Sequence, residues 1–117
     1  MASAVLTQVA GLVNEEYNAA VKKYGLNHSR HESFAVMKEE IEEAEDELKA
    51  INELTHSLWE NTKSNSNSRS CADQFGTIQH RAIKLAAEAI QVAAMADKWN
   101  NLKGKIAQLD IGKCLDI

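Results

Sequence analysis

The sequence predicts an all-α fold, a four-helix-type bundle that assembles into a homodimer or homotetramer. Three observations lead there. The chain of 117 residues contains no proline and is rich in Ala, Glu, Lys and Leu, so nothing forces a helix to break. Apolar residues return every three or four positions through three long segments, which is the period of one helix face. The third of these segments is apolar on almost every side between Ala82 and Met95, interrupted only by Lys84, Glu88 and Gln91. A helix that is apolar all round must be buried all round. So short a chain has helices of its own for one side only, and a second subunit is expected on the other.

The first helix is predicted over about 3–24, with Leu6, Val9, Val13, Tyr17, Ala20 and Tyr24 on one face. Gly25 is its expected stop, because glycine takes the left-handed conformation that closes a helix. Ser29 and Glu32 form an S-x-x-E capping box, which satisfies N–H groups at a helix start. The second helix is therefore placed at about 30–61, with Phe34, Met37, Ile41, Ala44, Leu48, Ile51, Thr55 and Leu58 as its apolar stripe. The polar stretch NTKSNSNSRS has no periodicity, and a flexible loop is expected over 61–73. Asp73 is the expected N-cap of a third helix at about 74–102. Ile106, Leu109 and Ile111 mark a short C-terminal segment at about 105–115. No internal repeat or linker appears, so residues 1–117 are expected to form one domain.

Composition excludes several classes of function. A net charge of -4 gives no broad basic surface for nucleic acid. The two cysteines, Cys71 and Cys114, lack metal spacing and make no disulfide framework; a reducing, cytoplasmic setting is expected. The mildly apolar run from Ala2 to Val13 has no basic start and runs into Glu15 and Glu16, so it reads as a helix and not as a signal peptide. No stretch has the length of a membrane span. Neither a glycine-rich phosphate loop nor a Ser/His/Asp or Cys/His arrangement is recognisable.

The second helix carries the chemistry. At about 100° per residue, Glu40, Glu43 and Glu47 fall on one flank of its apolar stripe, while Glu39, Glu42, Glu45 and Asp46 point elsewhere. A solvated charged face explains the outward acids. It explains the flank less well, because like charges three and four residues apart repel. Glu88 is the more informative residue, since Leu85, Val92 and Met95 surround it at helical spacing. A lone carboxylate there costs several kcal/mol of desolvation. One remedy is an ion pair with Lys84, four residues earlier. The other is a hard divalent cation shared with Glu40 and Glu43.

At these residues the chain resembles a known family. HESFAVMKEEIEEAEDEL, then a loop, then AAEAIQVAAMADKW, is similar to the all-α nucleoside triphosphate pyrophosphohydrolases, the MazG-like group, in its small phage and prophage members. The family's EExxE motif matches Glu39, Glu40 and Glu43. Its ExxD motif is matched at Glu88, while Gln91 stands at the aspartate position. The resemblance covers roughly residues 28–100. It implies Mg²⁺, with Mn²⁺ as a substitute, held by Glu40, Glu43 and Glu88, with one neutral oxygen from Gln91. Glu39 is implied as a further ligand or as the group that orients water, so that Glu39, Glu40 and Glu43 form the catalytic set. The implied reaction converts a (d)NTP and water to a (d)NMP and pyrophosphate, in nucleotide-pool control. Two other readings stay open: a nucleotide- or metal-binding relative with little catalysis, and a purely structural helical module.

Lys84 and Lys98 are candidate phosphate contacts, against the simpler reading of solvated lysines. Trp59 and Trp99 are candidates to stack on a base, against membership of the core. His28 and His31 belong to the helix start and His56 and His80 to the surface; hard-cation chemistry does not need them.

Overall fold

The computed structural model describes residues 2–65 and 68–102. They form three α-helices and no strand: α1 (Ala2–Tyr24), α2 (Arg30–Lys63) and α3 (Ser68–Leu102). The expected segment at 105–115 and Cys114 lie outside the described residues. None of the helices is long and apolar enough to cross a membrane.

Local chemistry explains the first two boundaries. Gly25 has φ 75°, and its N–H donates to the Val21 carbonyl at 2.7 Å, closing α1. At the start of α2 the Glu32 N–H donates to Ser29 Oγ at 3.1 Å. The Glu32 carboxylate reaches back one residue beyond the cap and accepts from the His28 N–H at 3.1 Å. Beneath this turn Asn27 and Ser33 are buried, and Asn27 Nδ2 donates to Ser33 Oγ at 3.0 Å. Two polar groups taken from water thus satisfy each other. Past the end of α2, Asn65 adopts φ 54°, a left-handed conformation that asparagine tolerates.

The expected loop over 61–73 is mostly helix. α2 runs on to Lys63, and α3 begins at Ser68, six residues before the predicted start. Asp73 is therefore inside α3 and not its cap; its carbonyl accepts from Thr77 Oγ1 at 3.0 Å. The reason is tertiary. Cys71, Gln74 and Ile78 are half-buried at helical spacing. The Gln74 side chain accepts from Asn61 Nδ2 at 2.8 Å and donates to Ser57 Oγ at 2.9 Å.

The chain divides into two compact units: the described residues of Met1–Glu39 and Ile90–Ile117, and Glu40–Ala89. In the first, Ala94 and Met95 are buried, and α1 half-buries Leu6, Ala10, Val13 and Tyr17. Val5, Val9 and Leu12, on the neighbouring flank of α1, are exposed.

The second unit is an antiparallel hairpin of α2 and α3, with Leu58 buried within it. As positions rise along α2 their partners fall along α3, from Glu47 with Arg81 to Asn61 with Gln74. Most of the predicted stripe is covered: Met37, Ile41, Ala44 and Ile51 are half-buried and Leu58 is buried. Leu48, at the expected centre, is 48% exposed. Glu40, Glu47 and Leu54, on the acidic flank, are half-buried too. Glu47 of that flank meets the cationic side chains of Arg81 and Lys84 on α3.

Candidate metal centre

Spacing along α2 places the acids. Residues three, four and seven apart share a helix face, so Glu40, Glu43 and Glu47 rise along the flank that meets α3. The antiparallel course of α3 carries Glu88 to the level of the first two. Glu40, Glu43 and Glu88 each offer a carboxylate oxygen, and the three oxygens lie within 4.8 Å of one another. Glu40 and Glu88 are half-buried; Glu43 is exposed.

The donor set suits a hard cation. Octahedral Mg²⁺ binds oxygens at about 2.0–2.1 Å, which puts adjacent ligands about 2.9 Å apart and opposite ones about 4.1 Å apart. A triangle within 4.8 Å needs only small rotations of flexible glutamate side chains to match it. Softer metals would call for sulfur or imidazole, and the cluster contains neither.

Glu47 has a different fate. Arg81 Nη1 donates to both of its oxygens, at 3.3 and 3.2 Å, and Lys84 Nζ lies 3.5 Å away. Partial desolvation pushes the Glu47 carboxyl up, but hydrogen bonding and charge from Arg81, then Lys84, outweigh it and hold the group below its ordinary value of 4.5. Lys84 is thereby committed to Glu47 across the hairpin rather than to Glu88 along its own helix. The simple remedy for Glu88 is not the one adopted, and its carboxylate faces Glu40 and Glu43.

The other predicted residues are placed as follows. Glu39 is exposed and is not one of the three clustered acids. Gln91 Nε2 donates to Glu16 Oε2 at 2.7 Å, which ties it to α1. Lys98 is only 4% exposed, so it is not an ordinary solvated lysine. Trp59 is 57% exposed and not core; the Lys63 ammonium lies 5.6 Å from its ring centroid. Sixteen residues of α2 separate Trp59 from Glu43, about 24 Å at 1.5 Å per residue, so the structure does not bring it to the cluster. The side chain of Trp99 lies outside the described residues, and the four histidines His28, His31, His56 and His80 are exposed.

Two participants escaped the sequence reading. Arg81 carried no motif; its one signal is that it lies three residues from Lys84 and seven from Glu88. Glu16 continues the line of Val5, Val9 and Leu12 along α1 at helical spacing, a carboxylate where an apolar residue would fit the pattern.

No family model matches the chain, and no curated protein or solved structure matches it either.

Proposed function

We propose that the chain is a Mg²⁺-dependent nucleoside triphosphate pyrophosphohydrolase, cleaving a (d)NTP to a (d)NMP and pyrophosphate, as its resemblance to the MazG-like group implies. One observation carries the reading: Glu40, Glu43 and Glu88, from two helices, offer oxygens within 4.8 Å of one another. These are the residues that the resemblance assigns to metal. When bound, the cation would neutralise the acids, grip the triphosphate and lower the pKa of a water. Glu40, Glu43 and Glu88 would hold it through hard oxygens. Glu39, one residue before the first of them and exposed, would orient or deprotonate the attacking water. Lys84, one turn from Glu88, is already paired with Glu47; a role on phosphate would require it to leave that carboxylate. An oligomeric bundle, expected from the apolar third helix, belongs to the same proposal.

The test is pyrophosphate release from a panel of NTPs and dNTPs with Mg²⁺, Mn²⁺ or EDTA. Native protein should release pyrophosphate only with metal, and Glu43→Gln should lose at least a hundredfold. No release from any nucleotide by folded protein would overturn the reading.

A second reading, a binding relative with little catalysis, is favoured by Gln91, whose amide is held by Glu16 at 2.7 Å. It predicts metal-dependent nucleotide binding by calorimetry without turnover.

A further inference from the structure

We propose that residues 103–117, which lie outside the described residues, dock on the α1–α2 turn of their own chain, with Ile106 and Leu109 over Tyr24 and Leu26 and the Asp110 carboxylate beside the Lys98 ammonium. The inference does not rest on the metal reading. It starts from Lys98, which is 4% exposed. Lysine is almost never so buried unless something pairs with its charge. Among the described residues no hydrogen bond or ion pair reaches it. Its place on α3 explains the burial. Gln91, Ala94 and Met95 lie seven, four and three residues before it, on one helix face. Ala94 and Met95 are buried, and Gln91 is tied to Glu16 of α1. Lys98 thus continues the face of α3 that packs on α1. Its apolar stem is at home there, but the charge at its tip needs an anion.

The turn at that end is inside out. Asn27 is 3% exposed, whereas Leu26 is 36% and Tyr24 71% exposed. Tyr24 stands at helical spacing from Val13, Tyr17 and Ala20, which are half-buried, so it is on the inward line of α1 and yet uncovered. α1 and α3 run the same way, since each is joined to α2 by a short turn. Counted from the Glu16–Gln91 contact, Tyr24 lies about 12 Å further along α1 and Lys98 about 10 Å further along α3. The uncovered ring and the buried ammonium therefore share one end. The turn offers no anion of its own: no Asp or Glu occurs from Tyr17 to His31. Of the nearest acids, Glu32 accepts from the His28 N–H, and Asp97, next to Lys98, points about 100° away on α3. α3 ends at Leu102, four residues past Lys98, so the chain that follows leaves from this same end. Its composition fits the gap. Gly104 is the residue type that lets a chain reverse after a helix. Ile106 and Leu109 supply apolar groups for Leu26 and Tyr24, and Asp110 supplies the anion. Reach is ample. From Leu102 to Asp110 the chain spans about 12 Å if helical and up to about 26 Å if extended. The return to Lys98 is about 6 Å along the axis and about 8–10 Å across it.

The test is carbodiimide crosslinking of the full native chain, as an equal mixture of unlabelled and nitrogen-15 protein, read by mass spectrometry. The expected product is an amide between Lys98 and Asp110 within one chain, absent from Asp110→Asn. A product that joins labelled to unlabelled chains would assign the site to a second copy and overturn the proposal. So would the absence of any Lys98–Asp110 link. A second measurement reads the apolar seat without crosslinking. In a Cys71→Ser, Cys114→Ser chain, the thiol introduced by Leu26→Cys should react with a disulfide reagent roughly tenfold faster once Ile106→Ser and Leu109→Ser are added, with helical circular dichroism unchanged. Equal rates would overturn the proposal and leave Lys98 to a dissolved anion.

Discussion

Glu47 and Glu88 show how one residue type meets two environments within a single hairpin. Glu47 is 12% exposed and carries two cationic partners, so its charge is stabilised by the fold. Its lowered pKa fixes the sign of a pH effect. The stability it contributes is fully present above the ordinary carboxylate value of 4.5 and is lost as pH falls through the lower folded value. The urea midpoint of native protein should therefore drop more steeply below about pH 4 than that of Glu47→Gln; parallel curves would dismiss the linkage. Gln91 makes a second residue-scale case. Its amide donates to Glu16, so Gln91→Asp alone would set two carboxylates against each other. We expect that variant to lose about 1–3 kcal/mol, and Gln91→Asp with Glu16→Gln to recover most of the loss in a double-mutant cycle. Additive effects in the cycle would mean that the contact contributes nothing. An aspartate at position 91 must therefore be tried in the Glu16→Gln background.

Among the helices, legibility followed locality. The end of α1 and the start of α2 were readable because Gly25, Ser29 and Glu32 act within a few residues of themselves. Ser29→Ala should cost about 1 kcal/mol in urea unfolding; a change within error would mean that the cap is replaceable. The start of α3 was not readable. Residues 68–73 have little apolar content, and what holds them helical is the spacing of Cys71, Gln74 and Ile78 against α2 together with the bonds from Gln74 to Asn61 and Ser57. No local signal reports those partners. The ion pair of Glu47 was hidden for the same reason, since its partner Arg81 belongs to another helix. The longer α3 has a testable consequence at Gly76. With a start at Ser68 this glycine lies in the helix interior, and a Cβ there would meet nothing within 4 Å. Gly76→Ala should then stabilise by about 0.5–1 kcal/mol. A destabilising change would argue against an interior position, whereas Gly25→Ala should destabilise because φ there is 75°.

At the scale of the molecule, a cation held by the three clustered acids would couple folding to a ligand. The candidate site was legible as a set of residues, because Glu40 and Glu43 share a helix flank and Glu88 stands among apolar neighbours. What the sequence could not supply was the pairing of Lys84 with Glu47 across the hairpin. Three carboxylates within 4.8 Å repel one another, and a cation that binds the folded hairpin but not the unfolded chain shifts the equilibrium by mass action. At a free concentration one hundred times its Kd, the gain is about 2.7 kcal/mol. For a domain near one hundred residues each kcal/mol moves Tm by roughly 4–8 °C. Native protein should therefore melt about 10 °C or more higher in saturating Mg²⁺ than in EDTA, while Glu43→Gln and Glu88→Gln should show little response. The comparison within each variant matters more than the comparison between them. Removing one acid relieves repulsion in the metal-free state and can raise Tm by itself, whatever the site does. A native Tm that ignores both Mg²⁺ and Mn²⁺ at millimolar concentration would leave the cluster as a strained feature of the hairpin, and would remove the support that the metal reading takes from geometry.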